Sequence, residues 1–162
     1  MKQQTFKIKD LSDTQNLAKH IANSIVADFV ITLNGELGVG KTTFVREIIK
    51  NFGVTDNIKS PTFTYVEPYI TDKYNIYHFD LYRFIDSSDW LNHGFDEYFN
   101  SSSLCFIEWA EKAKNYIPTI DWEINLILDD RLNLRIFEII AFTREGEECL
   151  SQLMKHVGNS LK

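Results

Sequence analysis

Two short runs of the chain are apolar at almost every position. Residues 29–33 (FVITL) and 104–107 (LCFI) are rich in β-branched and aromatic side chains, and both are too short to form an ordinary helix. A continuous apolar run of this length is typical of a strand that is buried on both faces, as in a parallel sheet. The pattern therefore predicts two central strands that run parallel to each other.

Alternating apolar and polar positions predict further strands, four of which should form two antiparallel hairpins across short polar turns. A fifth, short strand is expected near the start of the chain. Pro68 cannot donate to a neighbouring strand, so the strand that contains it should lie at an edge of the sheet. The predicted strands are residues 5–9, 63–70 with 74–80, and 122–128 with 134–142.

Apolar residues three and four positions apart predict helices between and after these strands. The first should cover residues 13–27, with Ser12 as its N-cap and Gln15 completing a capping box. The second follows the residue 29–33 strand and should end near Asn51. Residues 86–100 suggest one or two short helices broken at Gly94. A last helix should begin at Thr143 and stop at Gly158.

These elements predict an α/β fold whose mixed sheet has a parallel core, antiparallel hairpins at its sides and helices on both faces. The 162 residues suit a single domain, residues 1–162, and 44% of them are hydrophobic, which is enough for a large core. Only Cys105 and Cys149 are present, and we expect both to be buried free thiols.

The charge and the apolar pattern limit the partners that we expect. The net charge of −6 argues against a large basic surface for nucleic acid, so no DNA partner is expected and any role with nucleic acid should be indirect. We find no apolar run of membrane-spanning length and no signal peptide at the N-terminus, so the expected location is the cytoplasm, without a membrane partner.

The segment between the first central strand and the second helix matches the phosphate-loop pattern G-x-x-x-x-G-K-[ST] at every fixed position. Such a strand, loop and helix direct backbone N–H groups and the helix dipole at a phosphate. Lys41 should then reach the β- and γ-phosphates, and the Thr42 hydroxyl should bind Mg²⁺. The matching residues, all expected to bind nucleotide, are Gly35, Glu36, Leu37, Gly38, Val39, Gly40, Lys41 and Thr42.

A phosphate-loop (P-loop) NTPase also needs a carboxylate near the metal, at the end of a neighbouring strand. Glu108 follows the second central strand and is the preferred ligand of the metal or of its water. Asp80 ends another strand and is expected to work in the same site. The alternative for each is a strand-end carboxylate that pairs with a cation, for which Arg83 is close to Asp80 in sequence.

Other residues near these segments have weaker signals. Thr62 and Thr64 are either loop residues that sense a γ-phosphate or plain loop threonines. Trp109 either contacts nucleotide or a partner, or belongs to the core. The turn containing Arg131 is a candidate for the base pocket, and the absence of an N-K-x-D element favours ATP over GTP. The four histidines lack metal-ligand spacing and are interpreted as structural.

Four sequence blocks occur together in this order: the phosphate loop with Thr43 after it, SPTFT at residues 60–64, HFDLYR at 78–83 and IEW at 107–109. With them, the chain closely resembles the bacterial TsaE family over most of its length. The resemblance implies a P-loop ATPase, weak alone and dependent on partners, for the N6-threonylcarbamoyl modification of adenosine 37 in tRNA. It also implies that ATP and Mg²⁺ are the cofactors and that TsaD and TsaB are the partners. The tRNA would be held by these partners and contacted by this chain only indirectly, through the complex.

Matched position by position, the resemblance gives Lys41, Asp80 and Glu108 as catalytic residues and Thr42, Glu108 and Asp80 as the metal site. Thr43 and Trp109 would be further nucleotide-binding residues. Two other functions remain open at this point. One is a small-molecule phosphotransferase, although the five arginines form no dense cluster that could serve as a cationic lid. The other is a binding module that nucleotide controls without essential hydrolysis.

Overall fold

The computed structural model describes residues 1–157, in which seven strands form one mixed sheet with helices against both faces. The strands are β1 (Lys2–Ile8), β2 (Phe29–Asn34), β3 (Val66–Ile70), β4 (Asn75–Asp80), β5 (Ser103–Glu108), β6 (Trp122–Asp129) and β7 (Leu134–Ala141). The helices are α1 (Leu11–Ala22), α2 (Lys41–Lys50), α3 (Asp89–Asn92) and α4 (Arg144–His156), with short 3₁₀ helices at Phe95–Tyr98 and Ala110–Ala113.

The strand order is β1-β7-β6-β2-β5-β4-β3. Strands β6, β2, β5 and β4 are parallel neighbours, whereas β7 pairs antiparallel with β6 and β1, and β3 pairs antiparallel with β4. The two apolar runs therefore lie side by side as β2 and β5, as predicted. Their carboxyl ends, together with that of β4, meet at one edge of the sheet, where ligands bind in open α/β sheets.

The helices divide between the two faces of the sheet. α1, α2 and α4 pack with alternate residues of the central strands, including Ile31 and Phe106, in the larger apolar cluster. α3 and the 3₁₀ helices cover the other face, where Trp90 and Phe79 stack with ring centroids 5.8 Å apart. Both faces of β2 and β5 are consequently buried, which is why these strands are apolar without alternation.

Most of the predicted elements are confirmed. Both hairpins form, β3 with Pro68 is an edge strand, and the break at Gly94 has a positive φ of 67°. Thr143 caps α4 by accepting a hydrogen bond from the Gly146 N–H. Cys105 and Cys149 are free and buried. Gly158, the predicted end of the last helix, lies outside the described residues.

The predicted start and end of the first helix are wrong. The N-cap is Asp10, which is extended (φ −151°) and accepts a hydrogen bond from the Asp13 N–H at 3.0 Å. Asp10 is as good an N-cap as Ser12, and it is the residue that leaves β1 in an extended conformation. At the other end the helix stops at Ala22, where the Ser24 hydroxyl donates to the His20 carbonyl and closes the last turn.

Candidate functional site

A glycine-rich loop, residues 35–40, joins the carboxyl end of β2 to the start of α2. Gly35 and Gly40 have φ angles of 144° and 113°, which favour glycine. At Gly35 a Cβ atom would also lie 2.6 Å from the Leu126 carbonyl oxygen, so no other residue fits without displacing backbone. Gly40 offers no side chain to cap α2. The first N–H groups of the helix, which lack intrahelical acceptors, are therefore available for an anion.

The side chain of Lys41 folds back over this loop. Lys41 is only 4% exposed, and its ammonium donates to the carbonyl oxygens of Gly35 (2.6 Å) and Glu36 (3.0 Å). The ammonium also lies 4.2 Å from the centre of the Trp109 ring, a cation–π contact. Burial lowers the pKa of Lys41, while the carboxylates of Glu108 and Asp80 act to raise it. A positive charge is thus held beside the open helix end.

Two carboxylates face this lysine from adjacent strands. Asp80 and Glu108 are the last residues of β4 and β5, and they are paired in the parallel register. Glu108 is 2% exposed, and its Oε2 accepts a hydrogen bond of 3.0 Å from the Thr42 hydroxyl at the start of α2. Three of the predicted site residues are therefore brought together at the edge of the sheet.

Asp80 has partners of its own in the loops around the site. Its carboxylate accepts hydrogen bonds from the Thr62 hydroxyl (3.2 Å) and from the Tyr82 N–H (3.0 Å). Burial raises the pKa of Asp80, the Glu108 charge adds to that effect, and the two hydrogen bonds oppose it. Asp80 does not pair with Arg83, whose guanidinium lies 4.3 Å from the centre of the Phe63 ring. The ion pair between Asp80 and Arg83, the alternative that the sequence suggested, is therefore not formed.

A cavity of about 280 Å³ lies in front of the loop, and it is lined by Lys41, Thr42, Asp80 and Glu108 among others. Its walls are Leu37, Gly38, Gly40, Lys41, Thr42, Thr43, Thr62, Asp80, Tyr82, Arg83, Glu108 and Trp109. Trp109 is half-buried at the rim, has a positive φ of 60° and packs against the Tyr82 ring at 5.0 Å. Thr64 lies elsewhere and donates to Glu67.

The other side of the glycine-rich loop faces a second cavity, of about 440 Å³. It is formed by residues 35–39 of the loop, residues 126–128 of β6, Asp130 and Arg135. Arg131, proposed from sequence for a base pocket, lies in the exposed β6–β7 turn and lines neither of these two cavities. Arg135, which the sequence did not single out, donates from Nε to the Val39 carbonyl at 2.9 Å and so supports the loop from behind.

The oxygen donors at the sheet edge are suitable for Mg²⁺. Mg²⁺ is usually held by one or two carboxylates, with water and substrate phosphates completing the octahedron. Adjacent ligands about 2.1 Å from such an ion lie roughly 3.0 Å apart, which is the spacing of Thr42 Oγ1 and Glu108 Oε2. Within residues 1–157 there is no group of three or more His, Cys, Asp or Glu side chains that could hold a metal without such help.

His78 was predicted from the sequence to be a structural residue, but in the structure it contacts Glu108 of this site. It lies on β4 two residues before Asp80, so both side chains point to the same face of the sheet. Its Nε2 is 2.8 Å from Glu108 Oε1, and the ring is fully buried. The alternation along β4 could have shown the shared face, but not the contact with a residue of β5.

None of the helices in the described part of the chain combines the length and apolar composition that crossing a membrane requires.

Comparison with known proteins gives consistent matches over most of the chain. The family model described as threonylcarbamoyl adenosine biosynthesis protein TsaE matches residues 8–135. The tRNA threonylcarbamoyladenosine biosynthesis protein TsaE of Haemophilus influenzae is 42% identical over 123 residues, which are 75% of this chain and 76% of that protein. The protein of the same name from Bacillus subtilis is 37% identical over 118 residues, 73% of each chain.

A solved structure agrees with these matches. The crystal structure of Bacillus subtilis YdiB superimposes with a TM-score of 0.81 at 28% sequence identity, covering 96% of both chains.

Proposed function

Because the chain belongs to the TsaE family of threonylcarbamoyl adenosine biosynthesis proteins, we propose that it is an Mg²⁺-dependent ATPase that serves the N6-threonylcarbamoyl (t6A) modification of tRNA. The observation that carries the ATPase proposal is the meeting of Lys41, Thr42, Asp80 and Glu108 beside the open N-terminus of α2. A cation, an open helix end and two carboxylates are the groups that phosphoryl transfer to water uses.

Each residue has a distinct part in this proposal. The N–H groups at the start of α2 bind the phosphates, with the helix dipole adding to the attraction. Lys41 exchanges its two loop carbonyls for phosphate oxygens, which are stronger acceptors because they are charged. Trp109 covers this lysine and excludes water from the phosphate side of the cavity.

Thr42 and Glu108 are the residues that would hold Mg²⁺, with Asp80 next to them. The ion, when bound, neutralises charge that develops on the phosphate oxygens. Glu108 and Asp80 then share the task of orienting the attacking water, since Asp80 is already fixed by Thr62 and Tyr82. Because Thr62 lies in the loop before β3, a change in that loop would reach the site through Asp80.

The role in tRNA modification rests on the family and on charge. We propose that TsaB and TsaD are the partners, and that ATP hydrolysis drives or resets their complex. The net charge of −6 supports an arrangement in which these partners hold the tRNA and this chain contacts it only indirectly. A pull-down of TsaB and TsaD with ATP, with ADP and without nucleotide tests the partnership. Capture that requires nucleotide supports it, and no capture in any condition contradicts it.

A phosphotransferase would differ in the fate of the γ-phosphate. We expect phosphate to be released into water at a slow rate by the chain alone and at a higher rate with its partners. Labelled ATP with a chromatographic separation of products distinguishes the two activities. Stoichiometric transfer of the label to a metabolite would contradict the ATPase proposal. Competition by GTP in the same assay tests the expected preference for ATP.

A further inference from the structure

The buried imidazole of His78 lies behind the candidate metal-binding carboxylate. Its Nε2 is 2.8 Å from Glu108 Oε1, while Glu108 Oε2 accepts from the Thr42 hydroxyl at 3.0 Å. Among the described residues, each oxygen of Glu108 thus has one side-chain hydrogen-bond partner. An ionised carboxylate only accepts hydrogen bonds, so the contact is satisfied when Nε2 carries the ring hydrogen.

Among residues 1–157, the contact with Glu108 is the one hydrogen bond that the His78 ring makes. Nδ1 is buried and has no hydrogen-bond partner among the described residues. A histidine that only filled the core would gain nothing over an apolar side chain, because an unpaired buried nitrogen is unfavourable. The buried Nδ1 without a partner is unfavourable, and the hydrogen bond between Nε2 and Glu108 is the contact that offsets it.

Glu108 needs such an anchor because another group competes for it. The buried ammonium of Lys41 attracts the same carboxylate across the cavity. A glutamate has three side-chain torsions, so without a second contact it could turn from Thr42 towards this cation. The hydrogen bond from His78 fixes Oε1 at the sheet side, and Oε2 is then directed at Thr42.

We propose that His78 is a positioning residue for Glu108: by donating from Nε2 to Oε1, it holds Oε2 beside the Thr42 hydroxyl in the orientation that Mg²⁺ and its water require. The proposal rests on the proposed function for the identity of the metal. Its own content is a hydrogen bond and an orientation within this chain. Partners that orient a metal ligand typically change metal affinity or activity by about 10- to 100-fold when they are removed.

A matched set of substitutions tests the position of the donor. In His78→Gln the side-chain amide nitrogen can take the place of Nε2, whereas in His78→Asn the shorter side chain puts the amide near Nδ1. We expect His78→Gln to keep kcat and the Mg²⁺ requirement within about threefold. We expect His78→Asn to lower kcat and to raise the Mg²⁺ concentration for half-maximal hydrolysis, each by about 10- to 100-fold.

Nucleotide affinity separates positioning from damage to the fold. Measured with a fluorescent ATP analogue in EDTA, it should change by less than about twofold in both variants, since His78 does not line the cavity. Ile76→Val is the control for packing, because Ile76 is buried on the same strand and face. It should lower thermal stability slightly and leave the Mg²⁺ requirement unchanged. If His78→Gln and His78→Asn lose activity equally, or neither loses any, the proposal is wrong.

A measurement without nucleotide or metal keeps the two proposals separate. Nitrogen-15 NMR of the histidine rings should show His78 with hydrogen on Nε2 and a bare Nδ1, and Glu108→Gln should shift the Nε2–H resonance. Hydrogen on Nδ1 instead of Nε2 would overturn the positioning role even if ATP is hydrolysed. Wild-type protein that shows the Nε2–H contact but hydrolyses no ATP with its partners would overturn the proposed function and leave the contact established.

Discussion

Removing the Thr42 hydroxyl tests the link between the start of α2 and the carboxylate of β5. In Thr42→Val the side chain keeps its shape but cannot donate to Glu108 Oε2, which is 3.0 Å away in wild type. Glu108 is 2% exposed, so water has little access to replace the lost donor. Hydrogen bonds to charged groups contribute about 1.5–3 kcal/mol each. We therefore expect the free energy of unfolding to fall by about 1–3 kcal/mol.

The same substitution should also affect metal binding, because valine has no oxygen to offer Mg²⁺. The Mg²⁺ concentration for half-maximal ATP hydrolysis should rise by at least about 10- to 100-fold, the range for losing a residue that only orients a metal ligand. Thr42→Ser is the matched control. It keeps the hydroxyl, so its free energy of unfolding should stay within about 1 kcal/mol of wild type. Its Mg²⁺ requirement should stay within about threefold of wild type.

Two assays test the two expected effects separately, so either effect can be refuted without the other. Urea unfolding in EDTA, without nucleotide, measures the hydrogen bond alone. Phosphate release at fixed ATP and varied Mg²⁺ measures the metal site. If Thr42→Val unfolds at the same urea concentration as wild type, the Thr42–Glu108 contact is not a stabilising one. If its Mg²⁺ requirement is unchanged, Thr42 is not a metal ligand.

Three further predictions concern separate parts of the molecule. Lys41→Ala should abolish hydrolysis while the far-ultraviolet circular dichroism stays unchanged, because this side chain faces the cavity; normal activity in a pure preparation would refute the assignment. Burial raises the pKa of the Asp121 carboxyl above its ordinary 3.8, so the folded state binds a proton at this carboxyl more tightly than the unfolded state does. Unfolding measured between pH 7 and 4 should therefore show wild type gaining stability relative to Asp121→Asn as the pH falls, and a relative loss would contradict this sign. Burial raises the pKa of Cys105 to about 12 and that of Cys149 to about 11, so a thiol reagent at neutral pH should label them only after unfolding, and labelling of the native protein would contradict that.

The parts of the fold that sequence predicts well are those that depend on local pattern. The apolar runs of β2 and β5 mark strands buried on both faces, and the glycine positions of the loop follow from φ angles that favour glycine. Glu108 and Asp80 could be placed at one edge because parallel strands end on the same side of a sheet.

What sequence missed depends on contacts between distant segments. His78 reads as an ordinary alternating strand residue, and its partner Glu108 is thirty positions away on the next strand. Arg135 reaches Val39 across 96 positions, from β7 to the glycine-rich loop. The start of α1 differs from the prediction for a local reason, since Asp10 and Ser12 are equally good caps and only the exit of β1 decides between them.

The central claim is that ATP hydrolysis by this chain serves repeated rounds of tRNA modification. The most direct measurement is t6A formed per TsaB–TsaD complex over time, in a reaction that contains tRNA, the threonylcarbamoyl donor, ATP and either wild type or Glu108→Gln. Glu108→Gln should still bind ATP, because Lys41 and the open end of α2 remain. We predict many turnovers with wild type and no more than about one with Glu108→Gln. Repeated modification at the full rate with the variant would contradict the account.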